Sequence, residues 1–187
     1  MRIGIHGKDF QAKSTRFIEK ILDQLKERKA EIWLSSKFIK QVKSPLLGDI
    51  KYKTFEQGDN LRSLDFFFSL GGDGTMLESV TYIGKAEVPI LGINTGRLGF
   101  LAITSRDDID AALEAVFTGN YKVESRTLLK LNSTPKLFEP LNFALNDFTI
   151  MKKDTSSMIT VHVFVDGELL NSYWSDGIIV STPTGST

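Results

Sequence analysis

The stretch LDFFFSLGGDGT, residues 64–75, joins a continuous apolar run to a glycine-rich turn. An apolar run without alternation predicts a strand that is covered on both faces. Gly71, Gly72 and Gly74 then allow a ligand to approach the backbone, and the N–H groups of such a turn form an anion site. The negative charge of Asp73 in the middle of this turn therefore requires an explanation.

Strands and helices are predicted to alternate on both sides of this stretch. We expect Ser14 or Thr15 to cap the first helix, whose apolar residues recur at helical spacing. Strand–helix alternation implies a parallel sheet flanked by helices, so an α/β domain with a Rossmann-like sheet is predicted over residues 1–119. Its expected strands are 2–6, 30–35, 64–70 and 89–93, and its expected helices are 14–29, 75–84 and 107–117.

Residues 120–187 have a different pattern, with strands and turns but no convincing helix. ITVHVFV (159–165) alternates with a period of two, and Asp166-Gly167 is a two-residue hairpin signal. We predict a β-rich domain here. The chain ends on the small residues of SDGIIVSTPTGST (175–187), which are typical of the approach to a helix, so we expect this domain to be incomplete at its C-terminus.

Composition excludes several classes of function. The 187 residues include 23 Lys and Arg and 23 Asp and Glu, and this zero balance argues against a general nucleic-acid-binding protein. No cysteine is present, which excludes disulfides and thiolate metal sites, and the two histidines are too far apart to suggest a metal site. The apolar stretches are too short for a membrane span, so we expect a cytoplasmic protein without a membrane partner.

Three roles for Asp73 follow from its position. Its carboxylate could hold a divalent metal that bridges phosphates, or it could take the proton from a hydroxyl that attacks phosphorus. It could also do no chemistry and cap the helix that follows the turn. The sequence of the turn does not decide among these three.

A second glycine-bearing turn, NTGRLGFL (94–101), follows the strand predicted at 89–93. Neighbouring parallel strands end at the same edge of a sheet, so the two turns could face one ligand. Arg97 could meet a phosphate. Phe100 is expected to belong to the core, although it could stack on a base.

Two further segments lie in the β-rich part. Asn146 and Asp147 of ALND (144–147) could together bind a base edge and ribose hydroxyls only at a bulge or turn, and a simple Asx turn is the alternative. The hydroxyl-rich run at the end of SDGIIVSTPTGST offers donors to a nucleotide, or it could be a polar loop.

Taken together, four blocks in this order resemble the NAD kinase family of bacterial type. They are GGDGT (71–75), NTGRLGFL (94–101), ALND (144–147) and SDGIIVSTPTGST (175–187). This family transfers the γ-phosphoryl group of ATP to the 2′-hydroxyl of the adenosine ribose of NAD. The resemblance implies NAD as substrate, ATP with a divalent cation such as Mg²⁺ as cofactor, no metal held by the chain itself, and a homo-oligomer, either dimer or tetramer.

The resemblance also implies a role for individual residues. Asp73 would be the proton acceptor, with Gly74 beside it against the dinucleotide. The remaining residues implied to bind NAD are Asn146, Asp147, Trp174, Asp176, Thr184 and Thr187. Asn146 and Asp147 would contact the adenosine, Asp176 the other end of NAD, and Thr184 and Thr187 would line the adenosine pocket.

This chain departs from the family pattern at three positions. Asp147 stands where a glutamate is common, and Glu78 and Trp174 stand where basic residues are common. Two alternatives to NAD kinase remain. The GGDGT turn also occurs in diacylglycerol-type and sphingoid-type lipid kinases, although no basic amphipathic helix is evident here. The chain could also be a non-catalytic nucleotide-binding module.

Overall fold

A computed structural model describes residues 1–8, 14–42, 46–96, 99–154 and 156–186. The chain divides into two compact units, Met1–Val123 and Glu124–Thr187. Within the described ranges, no helix has both the length and the apolarity that crossing a membrane requires.

The first unit is built on a five-stranded sheet in the order β3-β2-β1-β4-β5, with every neighbouring pair parallel. This confirms the predicted α/β fold. The strands are β1 Arg2–Gly7, β2 Glu31–Ser35, β3 Tyr52–Phe55, β4 Phe66–Leu70 and β5 Ile90–Ile93. The helices are α1 Thr15–Glu27, α2 Ser36–Gln41, α3 Asp73–Ile83 and α4 Ile109–Thr118, with a 3₁₀ turn at Gly84–Ala86. In this order the winding direction reverses between β1 and β4, and doubly wound sheets bind ligands outside the carboxyl ends of strands at that point.

Strand β4 is buried on both faces, as its continuous apolar run predicts. Phe66 and Phe68 belong to the cluster that includes the buried side of α1 and of α4. Phe67 points to the opposite face, where it packs in a second cluster with Tyr82 and Ile83 of α3. The alternation of side chains along β4 therefore joins two helical layers through one strand.

Local predictions for the helices had mixed outcomes. Ser14 occupies the N-cap position of α1, as predicted, but its hydroxyl makes no capping hydrogen bond and donates to the Thr95 carbonyl oxygen at 3.4 Å. Helix α3 begins at Asp73, two residues before the start predicted near residue 75. Helix α2 was not predicted, because its six residues are too few to show a helical period, although Ser35 caps it by accepting from the Phe38 N–H at 3.1 Å.

The second unit contains antiparallel strand pairs, in agreement with the predicted β-rich part. Among the described residues these pairs are β6–β7, β8–β11 and β9–β10. Asp166 and Gly167 both have positive φ, 51° and 88°, as a type I′ turn requires, and this confirms the predicted hairpin. The strands are β6 Leu129–Lys130, β7 Phe143–Ala144, β8 Asp147–Met151, β9 Ile159–Val165, β10 Glu168–Ser175 and β11 Gly177–Ser181.

Replacing Ile21 by alanine should destabilise the first unit, because Ile21 is fully buried in α1 against the sheet. We expect the free energy of unfolding to fall by about 2–5 kcal/mol, the usual cost of truncating a buried isoleucine. The matched control is Ile103→Ala, since Ile103 is 70% exposed and should change it by less than about 0.5 kcal/mol. Urea denaturation followed by circular dichroism measures both, and equal losses would contradict this account of the core.

Candidate functional site

The two glycine-bearing turns lie side by side at the carboxyl edge of the sheet. β4 and β5 are parallel neighbours, with Leu70 paired to Ile93, so the turns that follow them leave the sheet together. The Gly71 N–H donates to the Ile93 carbonyl oxygen at 3.0 Å, which ties the first turn to the end of β5. The predicted adjacency of the two turns is confirmed.

The glycines of the first turn differ in their surroundings. A Cβ at Gly71 would overlap the buried Thr75 side chain, so this position requires glycine for packing. Gly72 and Gly74 have open space where a Cβ would lie. Their backbone at the start of α3 is therefore accessible to a ligand, in the way that phosphate-binding turns require.

The carboxylate of Asp73 accepts hydrogen bonds from three successive backbone N–H groups of the second turn. Phe100 donates to Oδ2 at 2.9 Å, and Leu101 and Ala102 donate to Oδ1 at 2.9 and 3.1 Å. Asp73 is the first residue of α3, and Gly72 occupies the N-cap position, so Asp73 does not cap the helix. The capping interpretation was wrong because the side chain turns away from its own helix and toward the neighbouring turn.

This arrangement keeps Asp73 ionised. Burial of the carboxyl group opposes ionisation, but the three backbone donors outweigh it together and hold the pKa of Asp73 below its ordinary value. At neutral pH the centre of the glycine-rich turn therefore carries a full negative charge.

Close packing of the two turns depends on glycine. A Cβ at Gly99 would overlap the carboxylate of Asp73, and a Cβ at Gly92 would lie 2.9 Å from the Ala102 Cα. Sequence reasoning missed Gly99 and the amides of residues 100–102, since a backbone donor leaves no side-chain signature. The only available signal was the glycine itself, in a turn that follows a strand predicted to be buried.

Hydrogen bonds within the second turn, and others that reach Arg106 and Ser14, hold its backbone in place. The buried side chain of Asn94 accepts from the Gly96 N–H at 2.7 Å and donates to the Ala102 carbonyl at 3.4 Å. The Arg106 guanidinium donates to the Thr95 carbonyl and, at 2.9 Å, to the Ser14 hydroxyl. These contacts fix the backbone that presents its N–H groups to Asp73.

Two predictions about this turn have different outcomes. Phe100 is 89% exposed, so its expected place in the core was wrong. Its N–H is directed to Asp73, and the alternative, stacking of its ring on a ligand base, stays a prediction. Arg97 lies outside the described residues.

A charged cluster surrounds Glu78 on α3, and we call Glu78, Lys8, Lys37 and His6 the Glu78 cluster. Lys8 Nζ lies 2.7 Å from Oε2 and Lys37 Nζ lies 2.7 Å from Oε1, while the buried His6 Nε2 lies 3.7 Å from Oε2. Burial raises the pKa of Glu78, but hydrogen bonds from Lys37 and Lys8 and the nearby His6 outweigh it and lower the pKa to about 2. Burial likewise lowers the pKa of His6, which favours the neutral imidazole.

In the second unit the structure brings Asn146, Asp147 and Thr184 into one neighbourhood. Asn146 lies in the bend before β8, and its carbonyl oxygen accepts from the Thr182 N–H at 2.8 Å. A Cβ at Gly185 would lie 2.7 Å from the Asn146 Cα, so the turn after β11 folds tightly over this bend. Thr184 belongs to the same turn, and its N–H donates to the Thr182 hydroxyl at 3.1 Å.

The side chain of Asn146 has an unusual feature. Among the described residues its Oδ1 is buried and has no hydrogen-bond partner. An Asx turn would use this oxygen as an acceptor, so the Asx-turn alternative does not apply to Asn146. Buried polar atoms are nearly always paired, and an unpaired one indicates a group that joins it, such as a water or ligand. The exposed Asp147 accepts from the Thr149 hydroxyl at 3.1 Å.

Asp176 directly precedes β11 at the other end of the β8–β11 pair, and Trp174 lies on β10. Ser181 pairs with Asp147 and Gly177 with Met151, so six residues of strand separate Asp176 from the Asn146 bend, a distance of roughly 20 Å. Asp176 forms an ion pair with Lys152 at 2.6 Å, and Trp174 is 74% exposed on β10. Thr187 lies outside the described residues. Within the described ranges no group of three or more His, Asp or Glu side chains could hold a metal ion.

Comparison with known proteins identifies relatives over the whole chain. Residues 3–121 match the ATP-NAD kinase N-terminal domain and residues 145–187 match the ATP-NAD kinase C-terminal domain. The NAD kinases of Cytophaga hutchinsonii and Flavobacterium johnsoniae are 45% and 42% identical over the full chain, which covers 64% and 65% of their lengths. The chain thus spans just under two thirds of these relatives.

Solved structures of an NADH kinase and an NAD kinase also match this chain. The yeast NADH kinase complexed with NADH matches with a TM-score of 0.82 and 25% identity, over all of this chain and 58% of that one. An NAD kinase from Archaeoglobus fulgidus in complex with ATP matches with a TM-score of 0.67 and 27% identity, over all of this chain and 62% of that one.

Replacing Gly99 by alanine should separate the two turns, because the added methyl group overlaps the Asp73 carboxylate. We expect hydrogen exchange of the amides of residues 100–102 to become at least about tenfold faster. This corresponds to a decrease of about 1.4 kcal/mol in the free energy of the opening that exposes them. Gly96→Ala is the matched control in the same turn, since open space surrounds that position. Unchanged exchange in Gly99→Ala would show that the carboxylate does not hold these amides.

Replacing Glu78 by glutamine should change how stability depends on pH. A folded-state pKa of about 2, below the ordinary 4.5, stabilises the fold above pH 4.5, and this contribution is lost as pH falls toward 2. The urea midpoint of Glu78→Gln should therefore lie below that of the unmodified protein at pH 7, and the difference should shrink between pH 4.5 and 2. Glu114→Gln, at an exposed ion pair with Arg28, is the control and should show a much smaller difference. A constant difference for Glu78→Gln across this range would contradict the assignment.

Proposed function

The chain belongs to the NAD kinase family, and we propose that it forms part of an NAD kinase. The proposed reaction transfers the γ-phosphoryl group of ATP to the 2′-hydroxyl of the adenosine ribose of NAD and gives NADP. The observation that carries this proposal is the ionised carboxylate of Asp73, fixed by backbone amides between two glycine-bearing turns. Two relatives support the substrates, since one solved NADH kinase holds NADH and one NAD kinase holds ATP.

Asp73 is proposed as the group that receives the proton of the ribose hydroxyl. A carboxylate offers about four lone-pair positions, and among the described residues three backbone N–H groups use three of them. Oδ2 accepts from Phe100 alone, so it retains a position for the incoming hydroxyl. The backbone bonds fix the direction of that position before substrate arrives, which is the arrangement that proton transfer in a transition state requires.

The lowered pKa of Asp73 suits phosphoryl transfer. A weakly basic carboxylate does not remove the proton from a free ribose hydroxyl. In the loose transition state of phosphoryl transfer, however, the hydroxyl becomes acidic as its oxygen bonds to the γ-phosphorus. The proton then passes to Asp73 while the bond from the γ-phosphorus to the bridging oxygen breaks and ADP leaves. The role of Asp73 is thus to orient the hydroxyl and to accept its proton late.

The first turn is proposed to receive the phosphates. The open space at Gly72 and Gly74 lets phosphate oxygens reach the N–H groups at the start of α3, whose dipole favours negative charge. A divalent cation such as Mg²⁺ would enter with ATP, because Mg²⁺ takes most of its ligands from phosphates and water where few carboxylates are grouped. When bound, it would neutralise the charge that develops on the phosphates.

The second unit supports binding of a long ligand. The unpaired Oδ1 of Asn146, with Asp147 and Thr184 nearby, offers acceptors and donors for the adenosine part of NAD. Asp176 lies roughly 20 Å from that bend along the β8–β11 pair, and Trp174 precedes it by two residues, so a ligand that contacts both ends must be extended. Thr187 is assigned to the adenosine end on the resemblance alone.

Assembly into a homo-oligomer, dimer or tetramer, is part of the same proposal. Several large apolar side chains of the second unit are exposed, among them Met151, Leu170 and Ile179. Exposed apolar side chains in this number are typical of a surface that another chain covers. The cytoplasmic location expected from the sequence stays a prediction.

Replacing Asp73 by asparagine should abolish most NADP formation, because the amide keeps the size of the side chain but cannot accept the proton. We expect kcat to fall by about 10²–10⁴-fold, the usual contribution of a positioned acid or base, while the Kd for NAD stays within about threefold. Production of NADP from NAD, ATP and Mg²⁺ by the purified protein measures the first, and calorimetry the second. Asp110→Asn on α4, whose carboxylate pairs with Lys20, is the matched control and should retain normal turnover. A near-normal rate in Asp73→Asn would refute the assigned role.

A further inference from the structure

We propose that Lys8 and Lys37, held in place by Glu78, form a binding site for the polyphosphate chain of the nucleoside triphosphate donor. This inference rests on the proposed function and names a part of the donor site that the glycine turn alone does not supply. Glu78 is a positioning residue in it, and the two lysines touch the phosphates.

The position of the cluster in the sheet supports a ligand site. His6 and Gly7 of β1 pair with Ser69 and Leu70 of β4, so Lys8 emerges beside the glycine-rich turn. This is the strand pair between which the winding direction of the sheet reverses, the usual place for a ligand in such sheets. Glu78 lies four residues after Gly74 on α3, and helical side chains lean toward the N-terminus of their helix. Its carboxylate therefore faces the same edge.

Two buried polar atoms beside the cluster lack partners. Among the described residues, His6 Nε2 and Ser69 Oγ have no hydrogen-bond partner, although both side chains are fully buried. They belong to paired residues of β1 and β4, and the unpaired nitrogen of His6 faces Glu78 at 3.7 Å. His6 Nε2 already faces the Glu78 carboxylate, whereas Ser69 Oγ has no such neighbour; because buried polar groups are satisfied in nearly all folded proteins, this hydroxyl indicates that a further polar group joins it here.

The charges of the cluster favour an anion. Glu78 is ionised at neutral pH, and it holds two ammonium groups at 2.7 Å each, one per carboxylate oxygen. Two positive charges against one negative charge leave an excess of one, because His6 is neutral. Both ammonium groups remain partly exposed and have further N–H donors to offer. Their side chains are already ordered, so binding of phosphate loses less conformational freedom than it would at free lysines.

A purely structural role for these ion pairs explains less. The ion pairs stabilise the fold, but one lysine would be enough to neutralise Glu78. Lys8 directly follows β1 and Lys37 lies on α2, so the two lysines come from segments that are far apart in the sequence. Their convergence on one carboxylate places both charges beside the glycine turn.

The test compares binding of two probes to the purified protein by calorimetry in the presence of Mg²⁺. The probes are a non-hydrolysable imido analogue of ATP and inorganic tripolyphosphate, and NAD is titrated separately. Lys8→Met and Lys37→Met keep the apolar stem and remove the charge. The matched control is Lys20→Met on α1, which removes a lysine from the ion pair with Asp110.

We expect Lys8→Met and Lys37→Met each to raise the Kd for both phosphate probes by at least about fivefold, as loss of a charge-assisted contact does. The KM for ATP should rise in parallel while kcat and the Kd for NAD stay within about twofold, and Lys20→Met should change none of these. Glu78→Gln should also weaken the phosphate probes, because the lysines lose the group that holds them.

Several results would overturn the inference. If NADP is formed but the lysine variants keep the unmodified Kd for tripolyphosphate and the unmodified KM for ATP, the cluster does not bind phosphate. Tighter binding in Glu78→Gln would show that Glu78 repels phosphate and does not position the lysines. If the unmodified protein forms no NADP at all, the proposed function fails instead, and tripolyphosphate binding still decides whether the cluster is an anion site.

Discussion

Three hydrogen bonds from backbone N–H groups of residues 100–102 to the carboxylate of Asp73 hold the candidate site of the first unit together. They join the turn after β4 to the turn after β5, and they decide which way Asp73 faces. The need for glycine at position 99 follows from them, because the carboxylate occupies the space where a side chain would begin.

The same interaction explains why a negative charge lies in a glycine-rich turn. Backbone amides satisfy the carboxylate and hold its pKa below the ordinary value, so it remains ionised at neutral pH. The glycines at positions 72 and 74 keep their own backbone open on the adjacent side. Under the proposed function, residues 71–74 can therefore bind phosphate through their backbone and also hold a carboxylate that accepts a proton. The carboxylate of Glu78 is stabilised differently from that of Asp73. Lysine side chains, and not backbone amides, donate to it, and its pKa falls to about 2.

The sequence alone predicted the structural features that depend on the pattern of neighbouring residues. The apolar run before the GGDGT turn predicted a strand covered on both faces, the order of elements predicted the parallel sheet, and the Asp166-Gly167 pair predicted the hairpin. Features that depend on distant segments could not be predicted. The partners of Asp73 are backbone groups almost thirty residues away, and Lys8 and Lys37 meet Glu78 only because β1, α2 and α3 converge. The unpaired oxygen of Asn146 likewise becomes visible only in three dimensions.

The central claim is that backbone amides hold Asp73 as an ionised, oriented carboxylate, and its pKa tests this claim directly. Carbon-13 NMR of the Asp73 carboxyl carbon, followed from pH 7 down to the lowest pH at which the fold persists, measures that pKa. The account predicts a value below the ordinary 3.8 of an aspartate. A value at or above 3.8 would show that burial outweighs the three donors and would contradict the account.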